Sequence, residues 1–254
     1  MLVVISPAKK LSVEGEKPDW FTTPQFIEHS EKLIKELRKY SPKKLQNLMS
    51  ISDDLAQLNV ERYQQWTTNH DAENTKQALF TFTGEVYAGL NATSFKKNEL
   101  EYAQQHLRIL SGLYGVLKPM DAIHAYRLEM GTKLKIGRKS NLYEFWGDTI
   151  VKEINNTLKT NEDKVLVNLA SNEYFKAVNK KKLATPVITP VFKDFTNGQY
   201  KTVMVYAKKA RGAMAAFIMK NKIKTIEELT AFDTDGYLFN KEASSSKELV
   251  FLRN

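Results

Sequence analysis

The chain has 254 residues, of which 42% are hydrophobic and 26% charged, as in ordinary globular proteins, and its formal net charge is +9. It has no cysteine, which excludes disulfides, thiolate metal sites and a cysteine nucleophile. The apolar run at residues 1–5 precedes its lysines, unlike a signal peptide, and no stretch reaches the roughly 20 apolar residues of a membrane helix. We therefore expect a cytoplasmic protein without a membrane segment.

The first half of the chain predicts one buried strand followed mainly by helices. Residues 2–5 are continuously apolar, and the spacing of apolar residues over 24–40 predicts an amphipathic helix. Further helices are predicted over residues 42–49 with Ser41 as the cap, 52–66 with Ser52 as the cap, 72–78, 86–90 and 95–107, a strand over 79–83, and an alternative strand over 107–110.

The second half predicts more strands. Residues 165–169 are apolar, and residues 187–192 and 200–206 flank an Asn-Gly turn, which predicts a hairpin. Pro190 limits the first hairpin strand to a sheet edge or a bulge, because proline cannot donate a ladder hydrogen bond. Without repeats or linkers, we expect a mixed α/β fold in a single domain over residues 1–254. Helices over 142–158 and 207–221 and a strand over 249–252 complete the prediction.

Positive charge is concentrated in one part of the sequence. Residues 176–224 contain twelve basic residues and one acidic residue, a net +11, whereas the rest of the chain is −2. Such a concentration is typical of a polyanion-binding protein, although a solvated lysine-rich surface without a partner has the same composition. Phe175 and Tyr206 are the aromatic residues in or beside this segment that we expect to stack on an unpaired base.

Standard catalytic and metal-binding signatures are absent from the sequence. The four histidines are too widely spaced for a paired metal motif, and no nucleophile elbow, P-loop or dinucleotide fingerprint occurs. We therefore predict no metal and no cofactor. Polar residues that suit a phosphate cradle, or alternatively turns, caps and surface lysines, instead follow predicted strands. They lie at residues 6–10, 111–119, 126–131, 168–175 and 206–212.

One of these clusters has a second interpretation. Residues 98–109, the Gly112 to Gly115 turn and the segment from Ala122 loosely match a helix-hairpin-helix. The turn amides of that element bind a DNA phosphate without reading bases. The match is loose because two residues, rather than one, separate the glycines.

The strings ISPAKKL, LSGLYGVLKPMD, YRLEMG, LYEFWGD, NLASNEYFKAV, YAKKARG and SSSKELVFLRN are distinctive. They resemble the bacterial YaaA family of peroxide-stress proteins along nearly the whole chain. The resemblance implies a compact α/β body with a positively charged cleft and a helix-hairpin-helix-like element. It also implies a role in limiting iron-driven oxidative damage and binding to double-stranded DNA, including distorted or bubbled DNA. We expect a monomer.

Ten residues are the DNA-binding candidates that the resemblance implies. The alternative function is an enzyme acting on a nucleotide or nucleic-acid base near Lys9, Glu173, Lys208 and Arg211. In that case Glu173 and Lys9 are the catalytic candidates, although Glu173 also suits a helix cap. The DNA-binding candidates are Lys9, Arg108, Ser111, Gly112, Gly115, Lys118, Arg127, Lys208, Lys209 and Arg211.

Overall fold

A computed structural model describes residues 1–12, 14, 19–71, 73–160 and 164–254. Within these residues, strands and helices are interspersed along the chain, which confirms the mixed α/β prediction. The strands are β1 (Leu2–Ile5), β2 (Lys10–Leu11), β3 (Lys76–Gln77), β4 (Phe82–Thr83), β5 (Leu107–Ser111), β6 (Gly115–Leu117), β7 (Ala122–Ile123), β8 (Leu166–Asn168), β9 (Val187–Thr196), β10 (Gln199–Lys201), β11 (Leu238–Asn240) and β12 (Glu248–Arg253).

Several helices begin where a side chain caps the first turn. The hydroxyls of Ser41 and Ser52 accept hydrogen bonds from backbone amides three residues on, as predicted. The helices are α1 (Ile27–Leu37), α2 (Pro42–Met49), α3 (Asp53–Gln65), α4 (Ala78–Thr81), α5 (Glu85–Leu90), α6 (Lys97–His106), α7 (Leu142–Trp146), α8 (Thr149–Thr160), α9 (Asn172–Phe175), α10 (Met204–Asn221) and α11 (Ile226–Leu229).

Eight strands form the main sheet in the order β11-β12-β9-β8-β1-β5-β6, with β10 paired to β9. The five inner strands β12, β9, β8, β1 and β5 are parallel, whereas β11 and β6 run antiparallel to their neighbours. Every residue of β1 is buried, as expected for a central parallel strand covered on both faces. Two short pairs, β2 with β4 and β3 with β7, lie outside this sheet.

The prediction for residues 72–83 was wrong in its order of elements. Ala72 lies outside the described residues, and Lys76 and Gln77 form β3 instead of a helix. They pair with Ile123 and Ala122, which are distant in sequence, so tertiary pairing overrides the local pattern. The predicted strand over 79–83 contains the end of α4 followed by β4.

The predicted helix over residues 142–158 is two helices, α7 and α8. Gly147, which follows α7, has a φ of 48° and a ψ of −118°. These angles are outside the helical region and are accessible mainly to glycine, so the chain changes direction here.

Pro190 lies inside the sheet, so the prediction of an edge strand or bulge was wrong. The amide of Thr189 donates to Lys247 on the β12 side of β9, so the nitrogen of Pro190 faces the opposite side. On that side, β8 pairs no further than Ile188 and β10 begins to pair only at Asp194. The proline therefore costs no ladder hydrogen bond. The predicted hairpin is confirmed, but its second strand ends at Lys201 and α10 begins at Met204.

Helix α10 packs closely against α5. A Cβ on Gly212 would lie 1.8 Å from the carbonyl oxygen of Val86, and one on Gly89 would lie 2.0 Å from that of Lys209. Glycines therefore allow the two backbones to touch. No helix in the described parts of the chain combines the length and apolar character needed to cross a membrane.

Candidate functional site at the carboxyl edge of the sheet

Strands β1 and β8 are parallel neighbours, so their carboxyl ends lie at the same edge of the sheet. The chain leaves β1 for β5 on one side and later returns to β8 on the other. Ligands in open α/β sheets bind at such a reversal of strand order. We call this side of the sheet the carboxyl edge.

A serine pair links the carboxyl ends of β1 and β8. Ser6 follows β1 and Ser171 follows β8, and the Ser171 amide donates to Ser6 Oγ at 2.9 Å. Ser6 Oγ donates in turn to Ser171 Oγ at 3.3 Å, and the Tyr87 hydroxyl donates to the Ser6 carbonyl. These bonds join the two strand ends to α5.

One carboxylate holds two of the predicted DNA-binding cations. Glu129 Oε2 lies 2.7 Å from Lys9 Nζ, and Glu129 Oε1 accepts a hydrogen bond from Arg127 Nη2 at 2.9 Å. The Lys9 side chain is 62% exposed and that of Arg127 is 15% exposed. We call these three residues the Glu129 cluster; its formal charge is +1.

Glu173, the predicted acid or base, anchors the neighbouring loop. Its Oε1 accepts a hydrogen bond from the Gly131 amide at 2.9 Å, and its carbonyl accepts one from the Tyr143 hydroxyl. Lys176 lies over the Tyr143 ring at 4.8 Å. Ser171 precedes α9 but makes no side-chain cap. The Glu173 carboxylate instead bonds to Gly131 and so links α9 to the loop after Glu129.

Three buried tyrosines lie beneath these charged groups. Burial raises the pKa of Tyr87, Tyr126 and Tyr174, and the charges of Glu173 and Glu129 raise that of Tyr174 further. Tyr126 also shares a 2.6 Å hydrogen bond with Ser111 Oγ. The phenols therefore remain neutral hydrogen-bonding groups, and the ionised groups lie at the surface.

Helix α10 carries further cations and packs on α5 next to this edge. The start of α5 lies beside the loop after β1, since a Cβ on Gly84 would be 3.9 Å from that of Ala8, and α10 packs on α5. Lys208 is exposed, while Lys209 pairs with Asp235 at 3.0 Å. Arg211 is half-buried, burial lowers its pKa, and it forms no ion pair with any described carboxylate.

The helix-hairpin-helix prediction was wrong. Ser111, Gly112 and Gly115 lie in a β-hairpin, because β5 and β6 pair antiparallel, and among the described residues the next helix begins at Leu142. All three residues are buried, and a Cβ on Gly115 would lie 2.7 Å from the Trp146 ring. The carbonyls of Gly112 and Leu113 and the amide of Tyr114 bond within the fold, and the buried turn does not face solvent.

Arg108 and Lys118 lie at the opposite end of the strands. Arg108 is the second residue of β5, and Lys118 follows β6, which runs antiparallel to it. We call this side the amino edge. The structure therefore brings Lys9 and Arg127 together at the carboxyl edge and separates Arg108 and Lys118 from them, while Lys208, Lys209 and Arg211 lie on α10, which packs on the neighbouring α5.

The basic segment of residues 176–224 does not form one patch. Helix α10 has 18 residues and is therefore about 27 Å long. Lys220, near its end, donates to Ser94 Oγ and lies over the Phe95 ring. Lys182 pairs with Asp148 on another part of the surface.

The two aromatic residues predicted to stack on bases differ in exposure. Phe175 is only 2% exposed, so that prediction was wrong: its ring packs into the core and Lys180 covers it. Tyr206 is 47% exposed, and the Arg253 guanidinium lies 4.6 Å from its ring.

The sequence did not reveal that Glu129 bridges two cations. The Arg127–Glu129 spacing of two is a usable signal, because alternate residues of an extended segment point to one side. The link to Lys9 is tertiary and leaves no such signal. No group of three or more histidine or acidic side chains in the described parts of the chain could hold a metal ion.

Comparisons with known proteins find matches along nearly the whole chain. The family model described as peroxide stress protein YaaA matches residues 1–243. The chain is 53% identical over 254 residues to a UPF0246 protein of Aliivibrio fischeri (strain MJ11), covering all of this chain and 98% of the relative. It is 54% identical over 254 residues to a UPF0246 protein of Shewanella amazonensis, covering 100% and 99%.

Proposed function

Since the chain belongs to the peroxide stress protein YaaA family, we propose that it acts in the peroxide-stress response by binding DNA, largely without sequence preference. In this role it helps to limit iron-driven damage to DNA and protein. The binding surface is the carboxyl edge, with Lys9, Arg127, Lys208 and Arg211 as phosphate ligands. The observation that carries the proposal is the excess of cations over carboxylates around Glu129.

Charge and exposure support phosphate binding at this edge. Glu129 neutralises only one of its two partners, and Lys208 is exposed. Lysine and arginine contacts to phosphates release counterions and need no base recognition, so affinity falls steeply with salt. The half-buried Arg211 is partly desolvated, which strengthens its attraction for an approaching phosphate.

The test is fluorescence anisotropy with labelled duplex and bubbled DNA at several salt concentrations. The double variant Lys9→Gln/Lys208→Gln removes two carboxyl-edge charges. Lys159→Gln is a control variant, because Lys159 is exposed in the last turn of α8. The variant salt slope should fall by about two, one for each lost phosphate contact, while the control should match the parent.

Two results would overturn the proposal: no binding by the parent at low salt, or equal losses in the double variant and the control. A sequence-dependent affinity of the parent for unrelated duplexes would contradict the lack of base reading.

A second candidate function is catalysis on a nucleotide or nucleic-acid base. The observation that favours it is the position of Ser6, Lys9 and Glu173 at a reversal of strand order, where α/β enzymes bind substrates. Its test is mass spectrometry of bubbled DNA after incubation with the parent, with Glu173→Gln and with the surface control Glu36→Gln, whose carboxylate pairs with Lys39. A change in DNA mass that only Glu173→Gln abolishes supports catalysis, whereas unaltered DNA with the parent argues against it.

A further inference from the structure

A polar cleft opens at the amino edge of the sheet, away from the proposed DNA surface. It has a volume of about 560 Å³ and is lined by side chains of α6 and α8, with Arg108 and Lys118 at one end. A smaller void of about 30 Å³, enough for one water-sized group, adjoins it. Arg108, Lys118 and Glu153 line both spaces, so the void is the inner end of the cleft.

Arg108 presents an unused donor edge in this cleft. The residue is 5% exposed, and its Nη1 donates to the carbonyls of Gln104 and Leu107 at 3.0 and 2.8 Å. Its Nη2 makes only a 3.5 Å contact to Thr157, and its buried Nε has no hydrogen-bond partner among the described residues. Nε and Nη2 form one edge of the guanidinium fork, which matches two oxygens of a carboxylate or phosphate.

The carboxylates around this cleft form no direct ion pairs with Arg108 or Lys118 in the described chain. Glu153 accepts from Gln25 at 2.9 Å, and Asp121 accepts from Thr22 at 2.6 Å and from the Lys118 amide at 2.8 Å. Within the described residues, neither carboxylate lies within ion-pair distance of Arg108 or of the Lys118 ammonium. Burial lowers the pKa of Arg108, and the charges of Glu153 and Asp121 offset this only from a distance, without a direct ion pair. The open donor edge of Arg108 is therefore free to take an anionic oxygen.

We infer that the amino-edge cleft binds a small oxyanion, a carboxylate or phosphate group, between the Arg108 Nε–Nη2 edge and the Lys118 ammonium. The adjoining polar groups of Gln105, Asn156 and Thr160 contact the remainder of the ligand. The enclosed position of Arg108 favours a free small molecule over the phosphate of a DNA duplex.

The experiment is isothermal titration of the full-length protein with inorganic phosphate and with succinate. Lys118→Gln removes one cation while keeping the backbone bond to Asp121, and Arg108→Lys keeps the charge but removes the fork. Lys97→Gln is the matched control, because Lys97 is exposed in the first turn of α6. Thermal unfolding checks that each variant folds, and duplex binding is measured in parallel.

The expected result is saturable binding to parent and control of at least one probe. That binding should be at least about tenfold weaker in Lys118→Gln, since charge-assisted bonds to an oxyanion contribute that much or more. Duplex affinity should not change. If Arg108→Lys does not fold, Lys118→Gln decides the question alone, since its ammonium has no ion-pair partner in the described chain.

Three results would overturn the inference. They are no saturable binding of either probe, equal binding by Lys118→Gln and the parent, and a loss of duplex affinity in Lys118→Gln as large as in Lys9→Gln/Lys208→Gln. The last result would assign the cleft to DNA phosphate. Failure of the DNA proposal would leave the phosphate and succinate titrations unaffected, so the two ideas fail separately.

Discussion

Each edge of the central sheet has a pair of cations beside at least one carboxylate, but the charges are arranged differently. At the carboxyl edge, Glu129 joins Lys9 and Arg127 directly. At the amino edge, Asp121 and Glu153 are held by neutral donors, and Arg108 keeps an open donor edge. The Glu129 cluster therefore keeps a net positive charge at the surface, whereas Arg108 keeps two enclosed N–H donors, Nε and Nη2.

This difference decides what each edge can bind. Exposed cations suit an extended polyanion, because screening weakens each contact and affinity needs several of them. A desolvated guanidinium suits one small oxyanion, because a single charge-assisted bond is strong where water is excluded. Counting basic residues does not distinguish the two edges; burial and existing hydrogen bonds do.

The largest expected effect is the loss of stability in Gly212→Ala, which disturbs the contact between α5 and α10 beside the carboxyl edge and leaves the amino edge unchanged. The new Cβ would meet the Val86 carbonyl at 1.8 Å, so α10 must move away from α5. We expect a loss of about 3 kcal/mol of unfolding free energy, at the upper end for overpacking. Urea unfolding measures it. Gly137→Ala is the comparison, because its added Cβ meets no atom within 4 Å and its φ of +57° leaves only a backbone cost of about 1 kcal/mol. Equal losses in both variants would contradict a steric cause.

The next effect is on the pH dependence of stability, which a buried group near each edge should change in opposite directions. His70 packs against Tyr114 in the hairpin turn. Burial, together with the charge of His124, lowers the His70 pKa to about 4, although the hydrogen bond to the Thr68 carbonyl opposes this. The unfolded chain therefore takes up a proton first as the pH falls below 6.5, and stability declines toward pH 4.

In His70→Gln this acid sensitivity should be reduced. Relative to the variant, the parent should lose about 2 kcal/mol between pH 7 and 4.5, after allowance for solvent screening. Urea unfolding at both pH values measures the difference. A parent and a variant with parallel pH profiles would show that His70 does not titrate in this range.

Asp121 should respond in the opposite direction at the amino edge. Burial raises its pKa to about 6, while hydrogen bonds from Thr22 and Lys118 lower it. The folded chain keeps this proton longer, so the contribution is complete below about pH 4 and is lost as the pH rises through 6.

Asp121→Asn should therefore gain stability relative to the parent by about 1 to 2 kcal/mol between pH 4.5 and 7. The same urea series measures this change. A gain that is independent of pH would assign the effect to altered hydrogen bonds instead of titration.

The sequence predicts local elements of this fold better than their pairing. The strand at Leu2–Ile5 and the helices capped by Ser41 and Ser52 depend on local apolar spacing and on capping chemistry, and both are visible in the sequence. The position of Pro190 depends on where β8 and β10 stop pairing with β9. No local pattern carries that information.

The candidate site follows the same rule. Lys9, Arg127 and Arg211 are recognisable as cations after strands or on a helix, but their convergence depends on strand order. The split of Arg108 from Lys9 follows from their positions at opposite ends of adjacent parallel strands. The helix-hairpin-helix predicted around Gly112 and Gly115 is a β-hairpin in the structure. Glycine spacing alone does not distinguish the two kinds of turn.

The smallest expected effect is on duplex affinity in Glu129→Gln, and it tests most directly how the charges of the carboxyl edge differ from those of the amino edge. Removal of the carboxylate frees both Lys9 and Arg127 from their ion pairs and raises the local charge by one. Duplex affinity should increase by about threefold at low salt, and the salt slope should become steeper by up to about one. Glu36→Gln, which breaks the surface pair with Lys39, is the control, and anisotropy titrations measure both.

The direction of this effect depends on whether Glu129 mainly neutralises its partners or mainly positions them. The Lys9 side chain is 62% exposed, and a surface ion pair contributes at most about 1 kcal/mol, so little preorganisation is lost with the carboxylate. Arg127 is more enclosed, and the Tyr63 hydroxyl still fixes its backbone by donating to its carbonyl. Neutralisation should therefore dominate, and weaker duplex binding by Glu129→Gln would show instead that the carboxyl edge depends on prepositioned cations. Phosphate binding at the amino edge should not change in either case, because Glu129 lies at the other end of the strands.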